Sequence, residues 1–232
     1  MEADFFNVKT VEAGWWRPTQ VGELVLSALS ADEVTKTDLE VSNKGREAFI
    51  LHGVLTPAEC RHMVERTERE GYEPMREFTT ASRSNTRLMI DDRELADAIW
   101  PRVKALVPEV AIKSGQTWSV VGLNHRWRFC RHRRHLTVVY TPGQHCEPHV
   151  DAAYKPSSSE RSLFTFMLYL NEGFGGGATV FLEGERHAVT PLTGMALVFE
   201  HNIVHEGERL ASDVKYIMRT EVMYRRQPKN WG

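Results

Sequence analysis

Residues 162–170, 178–182, 195–199 and 215–224 limit the fold more than any other part of this chain. All four are short runs rich in β-branched and aromatic residues, and Gly173, Gly175, Gly176, Gly177, Gly184, Pro191 and Gly194 punctuate them. No helical period intervenes, and short strands broken at such intervals predict a sandwich or jelly roll. The sequence upstream is of another kind. Thr56-Pro57-Ala58-Glu59 is a helix start in which Thr56 caps, Pro57 fills the first helical position and Glu59 reaches back. Cys60, Met63, Val64 and Thr67 then follow at helical spacing up to Gly71. This makes Cys60 a core residue and not a reactive thiol. A second helix is expected over about 91–107, with Leu95, Ile99, Val103 and Leu106 on one face and Pro101 kinking or dividing it.

The class that results is α+β with a mainly β core. It has an N-terminal extension (1–45) packed on one domain (46–232), a helical layer at 56–107 and a β core at about 118–226. Residues 48–51 read as a short apolar strand, 32–47 as a charged connection and 81–87 as a polar loop with two arginines.

Composition excludes some partners. A net charge of -2 and a pI near 6.6 argue against nucleic-acid or membrane binding driven by charge. Three cysteines with no C-x-x-C spacing argue against a disulfide framework and for a reducing compartment such as the cytoplasm. No apolar run has the length of a membrane span or the pattern of a secretory leader. Oligomeric state is not encoded in any visible pattern.

Chemistry concentrates at His149-Val150-Asp151 and His205. On an extended strand, residues two apart share a face. A second His from a later strand would complete a two-His-one-carboxylate set, which leaves open positions on an octahedral metal. A His-x-Asp arises by chance about 0.3 times in a chain of this make-up, so the three residues alone read equally as ligands or as ordinary polar groups. Lys215 adds context. It heads a run in which Lys215, Ile217, Arg219 and Glu221 alternate onto one face, and a lysine inside a barrel is costly without an anionic partner. His201 is read as a loop residue whose replacement is mild, and the basic run from Arg131 to Arg134 as a solvated loop.

Together these residues resemble the prolyl 4-hydroxylase-like branch of the 2-oxoglutarate/Fe(II) dioxygenases. The resemblance rests on Tyr140-Thr-Pro-Gly-Gln144, His149-x-Asp151, Glu160-Arg-Ser-Leu163, Tyr169-Leu-Asn171, Gly176-Gly-x-Thr179-x-Phe181, His205-Glu-Gly207 and Lys215-Tyr216. It extends over about residues 45–226. It implies a double-stranded β-helix (a jelly roll, cupin-like) flanked by N-terminal helices, with Fe(II) held by His149, Asp151 and His205. It further implies 2-oxoglutarate as co-substrate, its C5 carboxylate at Lys215 with Arg219 as second candidate, and Tyr169 and Tyr140 as hydrogen-bonding positions. O2 is the oxidant, and ascorbate is expected to support activity. An intact Asp151 favours hydroxylation, since halogenating relatives lack that carboxylate. The chain departs from the family where residues 132–139 separate Arg128-Phe-Cys-Arg131 from Tyr140, which reads as an insertion in or beside a core strand.

The expected acceptor is a prolyl residue in a protein or peptide, with a free amino acid or other small metabolite as the alternative. Asn85, Arg87 and Tyr154 are the candidate substrate contacts. Two readings of other kinds are a non-catalytic cupin-like binding module and a nucleic-acid demethylase, the latter supported only by the basic run.

Overall fold

The computed structural model describes residues 33–74, 85–133 and 146–228. In chain order the first elements are β1 (Thr35–Leu39), β2 (Ala48–His52), α1 (Pro57–Glu70), β3 (Glu73–Pro74), β4 (Thr86–Asp91) and α2 (Arg93–Val103). Then come β5 (Val110–Lys113), β6 (Gln116–Leu123), β7 (Arg126–Arg133), β8 (Cys146–His149), β9 (Glu160–Tyr169) and β10 (Thr179–Phe181). The last are β11 (His187–Val189), β12 (Ala196–Glu200), β13 (His205–Gly207) and β14 (Val214–Arg226). A 10-stranded sheet runs β1-β2-β12-β9-β14-β7-β4-β3, with β6 also on β14 and β5 on β6. A 4-stranded sheet runs β11-β10-β13-β8. Two curled antiparallel sheets built this way are the jelly roll, or double-stranded β-helix, that the strand pattern predicts.

Strand alternation divides the large sheet into two faces. From β9, Phe164, Phe166 and Leu168 join Met218, Val222 and Tyr224 of β14 and Trp127 and Phe129 of β7 in a core that includes Cys60, Met63, Leu95 and Ile99 of the two helices. The intervening residues look the other way. Met167, Tyr169 and Ile217 pack with Phe181, Phe199 and Ile203 between the two sheets. Lys215, Arg219 and Thr165 share that inner face, and this parity is what brings polar groups into the barrel.

The helix start behaves as its local sequence dictates. Thr56 accepts from the Glu59 N–H, the Glu59 side chain accepts from the Thr56 N–H, and Gly71 ends the helix by donating to Thr67 O. Asp92 caps α2, and Pro101 sits in its last turn without dividing it. At Gly194, φ is +81°, and a Cβ there would stand 1.9 Å from Leu55 O, so the turn into β12 requires glycine.

Three expectations are corrected. Part of the supposed connection 32–47 is β1, an edge strand that pairs with β2 along its whole length. Its charged, exposed residues carry no buried face for a period to mark. The polar loop expected at 81–87 gives way to strand from Thr86. The basic run is not a solvated loop through Arg133, because β7 lies between β14 and β4. Within that run Arg131 pairs with Glu68 of α1, and the β7 arginines before it pair likewise, Arg126 with Asp91 and Arg128 with Glu221. Residues 1–32 and 134–139, which hold most of the N-terminal extension and of the apparent insertion, lie outside the described residues.

Candidate metal centre

His149 ends β8 and His205 opens β13, and the two stand directly opposite each other in an antiparallel pair. Their ring centroids are 4.3 Å apart. Asp151 follows just beyond β8, not within a strand as a shared face would require, and its backbone N–H is held by His201 O at 2.8 Å. One ligand atom from each of the three residues falls within 4.8 Å of the others. His149 Nε2 is 3.7 Å from Asp151 Oδ1, and His205 Nε2 is 3.9 Å from Asp151 Oδ2.

The two imidazoles are oriented by the same device. His149 Nδ1 meets Glu147 O, and His205 Nδ1 meets Ile203 O, each at 2.9 Å and each the carbonyl two residues earlier. A carbonyl only accepts, so both Nδ1 atoms carry the proton and both Nε2 lone pairs face the carboxylate. Burial pushes His205 down to about 4, against the pull of Asp151, so it is neutral near pH 7. Burial also opposes ionisation of Asp151, but Arg219, His205 and the Thr165 hydrogen bond hold it well below the usual carboxylate range. Two imidazole Nε2 atoms and an ionised carboxylate thus converge. That donor set fits a divalent cation with open positions.

Both oxygens of Asp151 are held from behind. Arg219 Nη1 donates to Oδ1 at 2.7 Å, and Thr165 Oγ1 donates to Oδ2 at 2.6 Å. With its one proton committed, Thr165 must accept from His201 Nδ1 at 3.0 Å. His201 Nε2 is then an acceptor for Ser162 Oγ at 2.7 Å, and Ser162 Oγ in turn accepts the Tyr154 N–H at 2.9 Å. Burial keeps His201 neutral, down to about 4. His201 therefore occupies a turn and is not a converging ligand, as read, but it is buried and wired to the metal carboxylate. Thr165 and Ser162 were missed altogether. The sequence held one cue for Thr165, which lies four residues before Tyr169 and so on the same strand face.

The remaining candidates fall in three places. Lys215 is buried, with Nζ donating to Gly177 O at 2.6 Å and lying 5.2 Å from the centre of the Tyr169 ring. Tyr169 OH shares a 2.7 Å hydrogen bond with Thr179 Oγ1, and burial raises its pKa. Arg219 is spoken for by Asp151, two repeats of the strand alternation away from that corner. Asn85 and Arg87 lie at the start of β4 on the wall of the barrel, and Tyr154 is half-exposed beside the centre's hydrogen-bond chain. Tyr140 lies outside the described residues.

The jelly roll thus brings together His149, Asp151 and His205, a set that could hold a metal ion. Residues 135–220 match the model of the 2OG-Fe(II) oxygenase superfamily. The human prolyl 4-hydroxylase subunit alpha-3 is 27% identical over 146 residues, which cover 60% of this chain and 26% of that relative. The chain thus spans about a quarter of the relative's length. Among solved structures, a viral collagen prolyl hydroxylase from Paramecium bursaria Chlorella virus-1 in its 2OG complex aligns with a TM-score of 0.52 at 18% identity, covering 78% of this chain and 98% of that one. A Trichoplax adhaerens prolyl hydroxylase, in complex with a hypoxia inducible factor peptide, aligns with a TM-score of 0.56 at 14% identity, covering 75% and 82%. These structural likenesses speak to the fold. Over residues 135–220 the chain is thus similar to the 2OG-Fe(II) oxygenase superfamily, and over a longer stretch to a prolyl 4-hydroxylase subunit.

Proposed function

We propose that this chain hydroxylates a prolyl residue in a protein or peptide, using Fe(II), 2-oxoglutarate and O2. The convergence of both Nε2 lone pairs on an ionised Asp151 carries the reading. When bound, iron activates O2, and oxidative decarboxylation of 2-oxoglutarate to succinate and CO2 supplies the oxidising power for C–H hydroxylation. The chain's own part is placement and exclusion of water. His149, Asp151 and His205 would hold the metal, and Arg219 and Thr165 hold Asp151. Lys215 receives the C5 carboxylate of 2-oxoglutarate in the corner where Tyr169 and Thr179 offer hydroxyls. Phe181, Phe199, Ile203 and Ile217 keep the barrel interior dry. Ascorbate supports turnover by keeping the iron reduced.

A reducing compartment suits the cysteines: Cys60 and Cys130 are free and buried, and burial pushes the Cys60 thiol up to about 12. Among the described residues, no helix is long and apolar enough to cross a membrane. The test is succinate release with Fe(II), 2-oxoglutarate and prolyl peptides, with mass spectrometry for a product heavier by one oxygen atom. Wild type should be active, and His149→Ala and Asp151→Ala inactive. No succinate from a protein whose metal site is demonstrably filled would overturn the enzyme reading. Succinate without a hydroxylated prolyl product would overturn the substrate.

A further inference from the structure

Leu88 and Ile90 of β4 point into the core beside the helices, so Asn85, Arg87, Met89 and Asp91 face the barrel. Across the ladder, Arg87 stands beside Cys130 of β7, which stands beside Ile217 of β14. In the next layer towards the start of β14, His132 stands beside Lys215. Neighbouring strands are about 4.8 Å apart, so this wall runs from Arg87 to the corner assigned to the co-substrate. It is rich in cations. Its acids and that of the metal centre are already taken: Asp91 by Arg126, Glu221 by Arg128 and Asp151 by Arg219. Arg87 makes no hydrogen bond or ion pair with a described residue, and its Nε is buried without a partner. Asn85 Oδ1 and His132 Nε2 are buried without partners on the same wall.

Three unsatisfied buried polar atoms, one on a guanidinium, are costly unless a ligand completes them. The two carboxylates of 2-oxoglutarate already have places, one at the metal and one at Lys215. We propose that Arg87, flanked by Asn85 and His132, receives a carboxylate of the acceptor, so that the group hydroxylated here lies close to an acidic residue. This rests on the prolyl hydroxylase reading and narrows it to acidic prolyl substrates. The Arg87 guanidinium offers a fork of N–H donors to a carboxylate, and His132 adds an N–H. Asn85 Oδ1 then accepts a peptide N–H next to that carboxylate. An internal anion is the competing explanation. Outside the described residues the acidic side chains are Glu2, Asp4, Glu12, Glu23, Asp32 and Glu77, and of these Glu77 lies in the segment that leads directly into Asn85.

Two labelled prolyl peptides that differ only in Glu or Gln beside the proline separate these cases. Their binding is read by fluorescence anisotropy on protein loaded with Mn(II) and 2-oxoglutarate, and their turnover with Fe(II). Wild type and Glu77→Gln should both bind the Glu peptide roughly tenfold or more tighter than the Gln peptide. Arg87→Gln should lose the preference while the KM for 2-oxoglutarate stays within about twofold. The proposal is overturned if wild type shows no preference, including binding of neither peptide. It is equally overturned if Arg87→Gln keeps the preference, if Glu77→Gln alone creates or abolishes it, or if Arg87→Gln raises the KM for 2-oxoglutarate instead. Should Arg87→Gln fail to fold, the wild-type comparison decides. Binding through Arg87 without hydroxylation would remove the prolyl reading and keep the anion subsite. Equal hydroxylation of both peptides would do the reverse.

Discussion

At the scale of single residues, the centre rests on two hydroxyls and a histidine that reach Asp151 from outside the converging set. Thr165 has one proton and gives it to Asp151, so replacing it tests the whole chain from Asp151 to Ser162. Thr165→Val keeps the shape, bares Asp151 Oδ2 and leaves His201 Nδ1 without an acceptor. Its affinity for Mn(II) should fall about 10–100-fold, whereas Thr165→Ser should stay near wild type. His201→Gln should weaken the metal as well, which reverses the mild effect expected from sequence. Equal metal affinity in the Val and Ser variants, measured by calorimetric titration, would show that the hydroxyl has no such role. The convergence of His149, Asp151 and His205 was legible because motif order carried it. The support for Asp151 was not, because Ser162, Thr165 and His201 meet only when β9 and the turn after β12 come together.

At the scale of elements, α1 and α2 are clasped by one carboxylate. Glu59 Oε2 accepts both from the Thr56 N–H and from Arg102 Nη1, while Oε1 accepts from Arg102 Nη2 at 2.9 Å. Arg102 also donates to Val54 O. Glu59 and Arg102 are both buried, so removing one strands the other. Glu59→Ala is expected to cost about 3–5 kcal/mol in urea unfolding, against about 1 kcal/mol for Thr56→Ala, which removes only the cap. A Glu59→Ala loss no larger than that of Thr56→Ala would mean the pair contributes nothing beyond capping. The cap was visible in four consecutive residues. The pair was not, since its members are 43 apart in sequence. β7 was hidden for the same reason: Arg126, Arg128 and Arg131 read as solvated until their acidic partners are known.

At the scale of the whole molecule, acid should loosen the metal-free protein through its buried histidines. Burial lowers His132 to about 3 and His201 and His205 to about 4, from an ordinary 6.5. An unfolded chain takes up these protons first, so the stability they contribute is fully present above pH 6.5 and is lost as pH falls towards 3–4. Thermal melts of the metal-free protein should therefore show Tm dropping through that window, and His201→Gln should flatten the drop. An unchanged Tm from pH 6.5 to 4 would mean these rings are not held neutral in the fold.

The opposition of His149 and His205 has a mechanical side. β8 is the outermost strand of the small sheet, and its pairing to β13 shifts register within a few residues. A metal bridging the two rings would rivet that short strand to its neighbour, closing a long excursion of the chain between them much as a covalent cross-link does. Amide exchange in β8 and β13 should then slow on adding Mn(II), while exchange in α1, packed on the other face of the large sheet, stays as it was. The catalytic ion would be a fastener as well as a reagent.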